Sequence, residues 1–362
     1  MAVPSSGQLC LLGIAREKYS NLYTNFLNPP ISPASGYELS SMAVGNQYGT
    51  INTDSSSYPD GAIPHCMSEW YGYDHDAFAP SAGTWRTMSP TTVSATTWVS
   101  SAGTVPAAMV SQGRCTTSPY VALSCTQEFD GTSWSVGGNN VTARKGINNS
   151  AIGTQNAALA FGGCVSSPAC QTASEYNGST WANANSVPTR IKQSATGGIQ
   201  NSAIFAGGCT PISSRCVREY NGFSWSTASS IPGSGQFGGT GVGTQNAFLV
   251  VGGSGGTYFC NTTREYNGTT WSSGPNISTQ RAFAAGAGNQ NDAKVAGGLY
   301  CYNGPILTIS SVEDYNGTSW VTGTSLPNCR QSMASGGTTT CMWAVGGCAA
   351  GIGFCTDGYI WD

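Results

Sequence analysis

The sequence predicts an all-β domain built from repeated four-stranded modules, and three observations carry that expectation. A turn-plus-tryptophan element recurs at Trp134, Trp181, Trp225, Trp271 and Trp320, at spacings of 47, 44, 46 and 49 residues. Between successive tryptophans an apolar run ends in a glycine pair: Gly162-Gly163, Gly207-Gly208, Gly252-Gly253, Gly297-Gly298 and Gly346-Gly347. Composition is the third. With 39% hydrophobic residues, ten Trp and sixteen Tyr there is ample core material, while 49 Gly suit a chain of many tight turns.

Residues 1–85 lack the repeat and are expected to form a small irregular segment with one short helix. Ser6 can cap a helix from Gln8 to Tyr19, before the Pro- and Asn-rich stretch Asn28 to Pro33. The repeat domain is placed at 86–362. Its first module is eroded, running from Trp98 through Tyr120 to Ser124. In the others, strand one follows a Pro or Arg, as in Thr189-Arg190-Ile191, and strand two is the apolar run into the glycines, Ala157 to Phe161. Strand three ends at Glu175-Tyr176-Asn177-Gly178 and strand four begins at Trp181. Asn-Gly favours a type I′ hairpin, in which both central residues need positive φ. Paired glycines fit crowding against a neighbouring module. A last copy, Asp357 to Trp361, leaves the final module short of an outer strand, which the Trp98 segment is expected to supply.

A period of about 45 residues, four strands, a glycine pair and a late Trp together resemble the kelch-type β-propeller. The resemblance covers residues 90 to 362 and implies six blades, with seven the next count. Fourteen cysteines, several closely spaced, suggest disulfide staples: Cys115 with Cys125, Cys164 with Cys170, Cys209 with Cys216, Cys329 with Cys341, and Cys348 with Cys355. Cys260 and Cys301 would bridge successive blades, leaving Cys10 and Cys66 for the N-terminal segment. Oxidised cysteines imply an extracellular setting. Yet the apolar run Leu9 to Ala15 is short and meets Arg16, Glu17 and Lys18, so no signal peptide is expected.

The opening Val3-Pro4-Ser5-Ser6-Gly7-Gln8-Leu9 and the stretch Met67-Ser68-Glu69-Trp70-Tyr71-Gly72-Tyr73-Asp74-His75-Asp76 are similar to the N-terminal segment of tailed-phage virion structural proteins, tail-fibre-like proteins among them. That resemblance implies a virion-attachment module ahead of a displayed propeller. Its partners would be other virion proteins, with copies of the chain associating in an assembly on the virion surface or tail and host-surface glycan or a receptor as the target.

Charge excludes other classes. Charged residues make up 9% of the chain, where about 25% is usual, and four lysines with a net charge of −3 cannot build a phosphate-neutralising surface, so no nucleic acid is expected. No stretch is long and apolar enough to insert in a membrane. Asp74, His75, Asp76 and His65 could in principle hold a metal, but neighbouring side chains on an extended segment point to opposite faces. No metal or cofactor is expected. Galactose-oxidase-like copper would need His ligands in the propeller, and no His follows His75. The Asp130-Gly131-Thr132-Ser133-Trp134 turn lacks one residue of a sialidase Asp-box, itself a structural turn.

Arg144, Arg190, Arg281 and Arg330 recur at strand one, and Glu128, Glu175, Glu219, Glu265 and Glu313 near strand three. Recurrence of both signs predicts Arg–Glu pairs tying each blade, and no catalytic residue stands apart from the repeat. The sequons at Asn177, Asn267 and Asn316 fall on the hairpin turns, where turn chemistry explains them. Variable loops after the glycine pairs carry aromatics, making Tyr258, Phe259, Tyr300 and Tyr302 the candidate ligand-binding residues. The expected function is therefore a non-enzymatic virion protein that displays a propeller. A secreted or cell-surface adhesin and a glycan-cleaving propeller enzyme are the competing readings.

Overall fold

The computed structural model describes residues 83–92, 97–114, 121–147, 152–165, 169–209, 212–255, 258–301, 305–349 and 353–362. The expected helix, His65, the Asp74-His75-Asp76 cluster, Cys10, Cys66, Cys115 and Tyr302 lie outside these residues. Within them, Gly83–Asp362 folds into six four-stranded antiparallel sheets, the blades of a β-propeller.

Blade 1 comprises Ser100–Thr104, Ala107–Ser111, Thr126–Phe129 and Trp134–Gly137 from the axis outward. Blade 2 comprises Gly153–Thr154, Ala157–Phe161, Ala173–Tyr176 and Trp181–Ala184. Blade 3 is Ala195–Ile199, Ser202–Ala206, Val217–Tyr220 and Trp225–Thr227. Blade 4 is Thr240–Thr244, Ala247–Val251, Thr263–Tyr266 and Trp271–Gly274. Blade 5 is Ala285–Asn289, Asp292–Ala296, Val312–Tyr315 and Trp320–Gly323. Blade 6 joins both ends of the domain: Ala334–Gly337, Met342–Val345 and Gly358–Trp361 carry Trp85–Met88 as their outer strand.

Two strand assignments change. The outer strand of blade 6 is Trp85–Met88, in register with the last strand from Trp85 opposite Trp361 to Met88 opposite Gly358. The Trp98 segment instead leads into the inner strand of blade 1. The inner strand of blade 3 is Ala195–Ile199, so Thr189-Arg190-Ile191 belongs to the connector before it.

The core is divided. Among the described residues, one apolar cluster fills each interface between neighbouring blades. Leu159, Phe161, Phe205 and Tyr220 lie between blades 2 and 3, and Trp343, Ile360, Phe129 and Trp134 between blades 6 and 1. Each outer-strand Trp also ties its blade to the previous one through its indole N–H: Trp225 donates to Asn185 O at 2.9 Å and Trp271 to Ser229 O at 2.8 Å. The recurring Gln has the same purpose. Gln200 Nε2 donates to Ala158 O and Tyr176 O of blade 2, and Gln245 repeats the contact on Ala203 O and Tyr220 O of blade 3.

The glycine pair is required twice over. Gly162 and Gly163 have φ of +66° and +76°, and a Cβ on Gly162 would stand 2.4 Å from Ile191 O of the next connector. The Asn-Gly hairpins, however, are not two-residue type I′ turns. Tyr176 pairs with Trp181, leaving a four-residue loop in which only Gly178 has positive φ. Asn177 Oδ1 accepts from the N–H groups of Ser179 and Thr180, so the Asn is chosen as a turn-closing acceptor. Asp130 does the same in blade 1, and the N–H groups of Ser133 and Thr132 hold its carboxyl far below the ordinary range.

Recurrent Arg–Glu pairing is also corrected. Glu128, Glu175, Glu219 and Glu265 accept from the tyrosine of the following blade: Tyr176 at 2.5 Å, Tyr220 at 2.8 Å, Tyr266 at 2.9 Å and Tyr315 at 2.7 Å. The repeat equivalent of these acids in blade 5 is Asp314, directly before Tyr315 as Glu265 is before Tyr266. Glu313 is one residue earlier, faces the other side of the sheet, and meets Arg281 at 2.7 Å. Arg144 is buried against Thr172 O and Ser174 Oγ, whereas Arg190, one position out of step, is exposed and Ile191 takes the buried place.

Burial first, and then the Glu bond, push the tyrosine hydroxyls up, to about 12 for Tyr176 and Tyr266. A tyrosine whose folded pKa exceeds its unfolded value near 10 stabilises the fold fully below pH 10 and loses that contribution as pH rises towards 12. Urea titrations at pH 7, 9 and 11 should therefore show stability falling steeply above pH 10. Tyr266→Phe should cost about 1.5 kcal/mol at pH 7 and flatten the alkaline slope.

The disulfide expectation is not met. Cys164, Cys170, Cys216, Cys260, Cys329, Cys341, Cys348 and Cys355 are free thiols, so the pairings 164–170, 209–216, 260–301, 329–341 and 348–355 are not formed. Register explains two of them. Gln331 bridges to Cys348 while Gly337 pairs with Met342, so Cys329 and Cys341 lie at opposite ends of the blade 6 inner strand. That is about 20 Å at 3.3 Å per residue, far beyond disulfide reach. Cys348 is opposite Phe354, so the next residue, Cys355, points to the other face of that hairpin. Burial pushes the thiols of Cys341, Cys348 and Cys355 up, favouring the protonated form.

Candidate functional site

Strand direction sorts the loops onto two ends of the propeller. One end carries the short inner hairpins and the Asn-Gly turns. The other carries the connectors between blades and the long loops after the glycine pairs, where Tyr258, Phe259 and Tyr300 are found.

At the axis on this second end, the chain closes over itself. Trp98, Gly146, Gln193, Gly238, Phe283 and Ser332, one from each connector, all have φ between 54° and 70°. Backbone N–H groups pass the bond from blade to blade: Gln193 donates to Gly146 O, Gly238 to Gln193 O, Phe283 to Gly238 O and Ser332 to Phe283 O, at 2.7–3.1 Å. Trp98, Gln193, Gly238 and Phe283 line a cavity of about 10 Å³ there. That holds roughly one water and no ligand.

The space for a ligand lies off the axis. A groove of about 520 Å³ runs between the connectors before blades 5 and 6, flanked by the blade 5 loop. Six Ser and Thr residues border it, Ser278 and Thr279 from one connector, Thr308, Ser310 and Ser311 from the loop, and Ser325 from the other connector, and Ile309, Cys329 and Tyr300 contribute to a wall whose exposed surface is more apolar than polar. Tyr300 is held in a two-residue strand, Leu299–Tyr300, which pairs with Leu307–Thr308 and sets Tyr300 opposite Leu307.

The wall of hydroxyls is fixed from below by Arg281 and Glu313, only 1% and 3% exposed. Glu313 accepts from the N–H of Ser278 at 2.7 Å and of Thr279 at 3.3 Å. Arg281 donates to Gly297 O, Ser311 O and Ser311 Oγ as well as to Glu313. Burial pushes the Arg281 pKa down, and the Glu313 carboxylate beside it opposes that shift. The arrangement gathers Ser and Thr residues and a tyrosine around one groove over a buried ion pair, which suits contact with a polyhydroxylated ligand through hydrogen bonds and ring packing.

Of the aromatic candidates, the structure brings Tyr300 to the groove. Tyr258 is exposed on the blade 4 loop, and Phe259 next to it forms a bridge with Ser254; neither lines the groove. The Ser and Thr residues were not singled out by sequence, because three separate segments supply them and the chain is rich in both. Among the described residues, no three His, Cys, Asp or Glu side chains gather as metal ligands, and no helix is long and apolar enough to cross a membrane.

Comparison with known proteins agrees on the fold. No protein-family model matches the chain, and no curated protein matches it. The solved structure of YjhT, a propeller, is similar with a TM-score of 0.64 and 14% identity, over 75% of this chain and 96% of that one. At that identity the likeness shows the fold alone.

Proposed function

We propose that the chain is a virion structural protein whose residues 1–82 attach it to the particle and whose kelch-type propeller binds glycan on the host surface. The groove beside Tyr300 carries the binding half of this reading. It is large enough for one or two sugar rings, its hydroxyls can both donate and accept, and the tyrosine offers a ring to pack against a sugar face. The acids of the repeat are engaged elsewhere, Glu128, Glu175, Glu219 and Glu265 with tyrosines and Glu313 with Arg281. That favours binding over glycan cleavage, which needs two carboxyl groups facing one bond.

The N-terminal resemblance supports the virion half. With no disulfide formed among the described residues, the argument from oxidised cysteine to secretion falls away. Tyr300→Ala should lower binding to host cells about tenfold, the loss of one aromatic contact worth about 1.4 kcal/mol, with the urea midpoint unchanged. Wild-type binding by that variant would remove the groove from the reading. Mass spectrometry of purified virions should find the chain, and its absence there would overturn the virion assignment.

A further inference from the structure

This inference rests on the glycan-binding reading above. We infer that the groove selects by charge, accepting neutral sugar chains and rejecting those that carry a carboxylate, sulfate or phosphate.

The lining supplies hydroxyls from Ser278, Thr279, Thr308, Ser310, Ser311 and Ser325, with no ammonium or guanidinium among them. Arg281 bonds to the lining residue Ser311, and its donors are already committed. Nη1 serves Gly297 O and Ser311 O, Nη2 serves Glu313 and Ser311 Oγ, and Nε points to Thr279 O. Turning it towards a ligand would strand a buried Glu313 carboxylate, which also holds the Ser278 and Thr279 backbone in place. An anionic sugar entering here would lose water around its charge and gain no counter-charge. A neutral sugar exchanges water hydrogen bonds for hydroxyl ones at little net cost.

The arrangement differs from one built to capture acidic sugars, where an arginine fork faces the ligand. Here the arginine is committed to Glu313, Ser311 and backbone carbonyls, and no Lys or Arg lines the groove. The consequence is discrimination at the ligand's ionised group, which ring shape alone would not give.

The test uses the full-length chain and paired oligosaccharides immobilised at equal density: N-acetyllactosamine against its sialylated form, and a neutral glucan against a glucuronic-acid polymer. Neutral chains should bind, and their acidic partners should bind at least about tenfold more weakly. Tyr300→Ala should lower the neutral binding about tenfold. Ser325 is exposed at the groove edge, so Ser325→Lys should fold normally and raise binding of the sialylated chain at least about fivefold. Equal binding of acidic and neutral chains, both weakened about tenfold in Tyr300→Ala, would overturn the charge selection while leaving glycan binding intact. No binding of any chain, or binding indifferent to Tyr300→Ala, would overturn the glycan reading and this inference with it.

Discussion

Trp361→Ala should destabilise the propeller by about 3–5 kcal/mol, the range for truncating a fully buried Trp, and Trp343→Ala should do so by a similar amount. Trp361 is 1% exposed in the interface between blades 5 and 6. Its ring lies 5.2 Å from Trp85, and Lys294 Nζ stands 4.2 Å above it. Truncation would leave a void between two blades that cannot collapse, because each is held by its own sheet. It would also remove the contact that fixes Trp85, the first residue of the closing strand. Trp343 acts on the other side of blade 6, packed near Trp134 of blade 1 and donating to Gly103 O at 3.1 Å. Arg86→Ala is the control. Its ion pair with Asp362 spans the same strand junction but is about half exposed, so its loss should cost under about 1 kcal/mol. Urea unfolding at pH 7 separates the cases, with both Trp variants shifting the midpoint strongly and Arg86→Ala hardly at all.

The location of that closing strand shows where the sequence was readable and where it was not. Five blades announce themselves because each contains its own aromatic-turn-Trp hairpin within a dozen residues, with Phe129 in blade 1 and Tyr in the other four. Blade 6 splits the pattern: Gly358-Tyr359 lies at one end of the domain and Trp85 at the other. The signal was nevertheless present. Gly83-Thr84-Trp85 shares its Gly-Thr start and closing Trp with Gly131-Thr132-Ser133-Trp134, and Trp85 lies 134 − 85 = 49 residues upstream of Trp134, a spacing also seen between Trp271 and Trp320.

Charge periodicity misled for a related reason. A repeat of Arg and Glu at a common period is compatible with pairing inside a blade or with each pairing to something else, and period alone cannot choose. What decides is which face of the strand a residue occupies, and that changes with a slip of one position. Arg190 and Ile191, and Glu313 and Asp314, are two such slips. The groove was illegible for a different cause. Its hydroxyls come from segments that meet only when blades 4, 5 and 6 are in place, and Tyr300 was visible because aromatic residues in a variable loop are rare enough to notice.

Glu313→Ala should cost about 3–5 kcal/mol, the cost of leaving a buried charge without its partner. Arg281 would then remain in a site that is 1% exposed, with its pKa already pushed down by burial and no carboxylate to oppose that. The N–H groups of Ser278 and Thr279 would lose their acceptor too. Glu313→Gln keeps a carbonyl for those N–H groups but not the charge, so it should fall between Ala and wild type. The double variant Arg281→Met with Glu313→Leu removes both charges together and should be closer to wild type than Glu313→Ala, because the pair's attraction is largely offset by its desolvation. Unfolding and binding then part company. The double variant should hold most of its urea midpoint while losing neutral-glycan binding, since Ser278, Thr279 and Ser311 would no longer be held by Glu313 and Arg281 in the positions that line the groove. If binding survived in that variant, the ion pair would be part of the blade's packing and the hydroxyl wall would keep its shape without it.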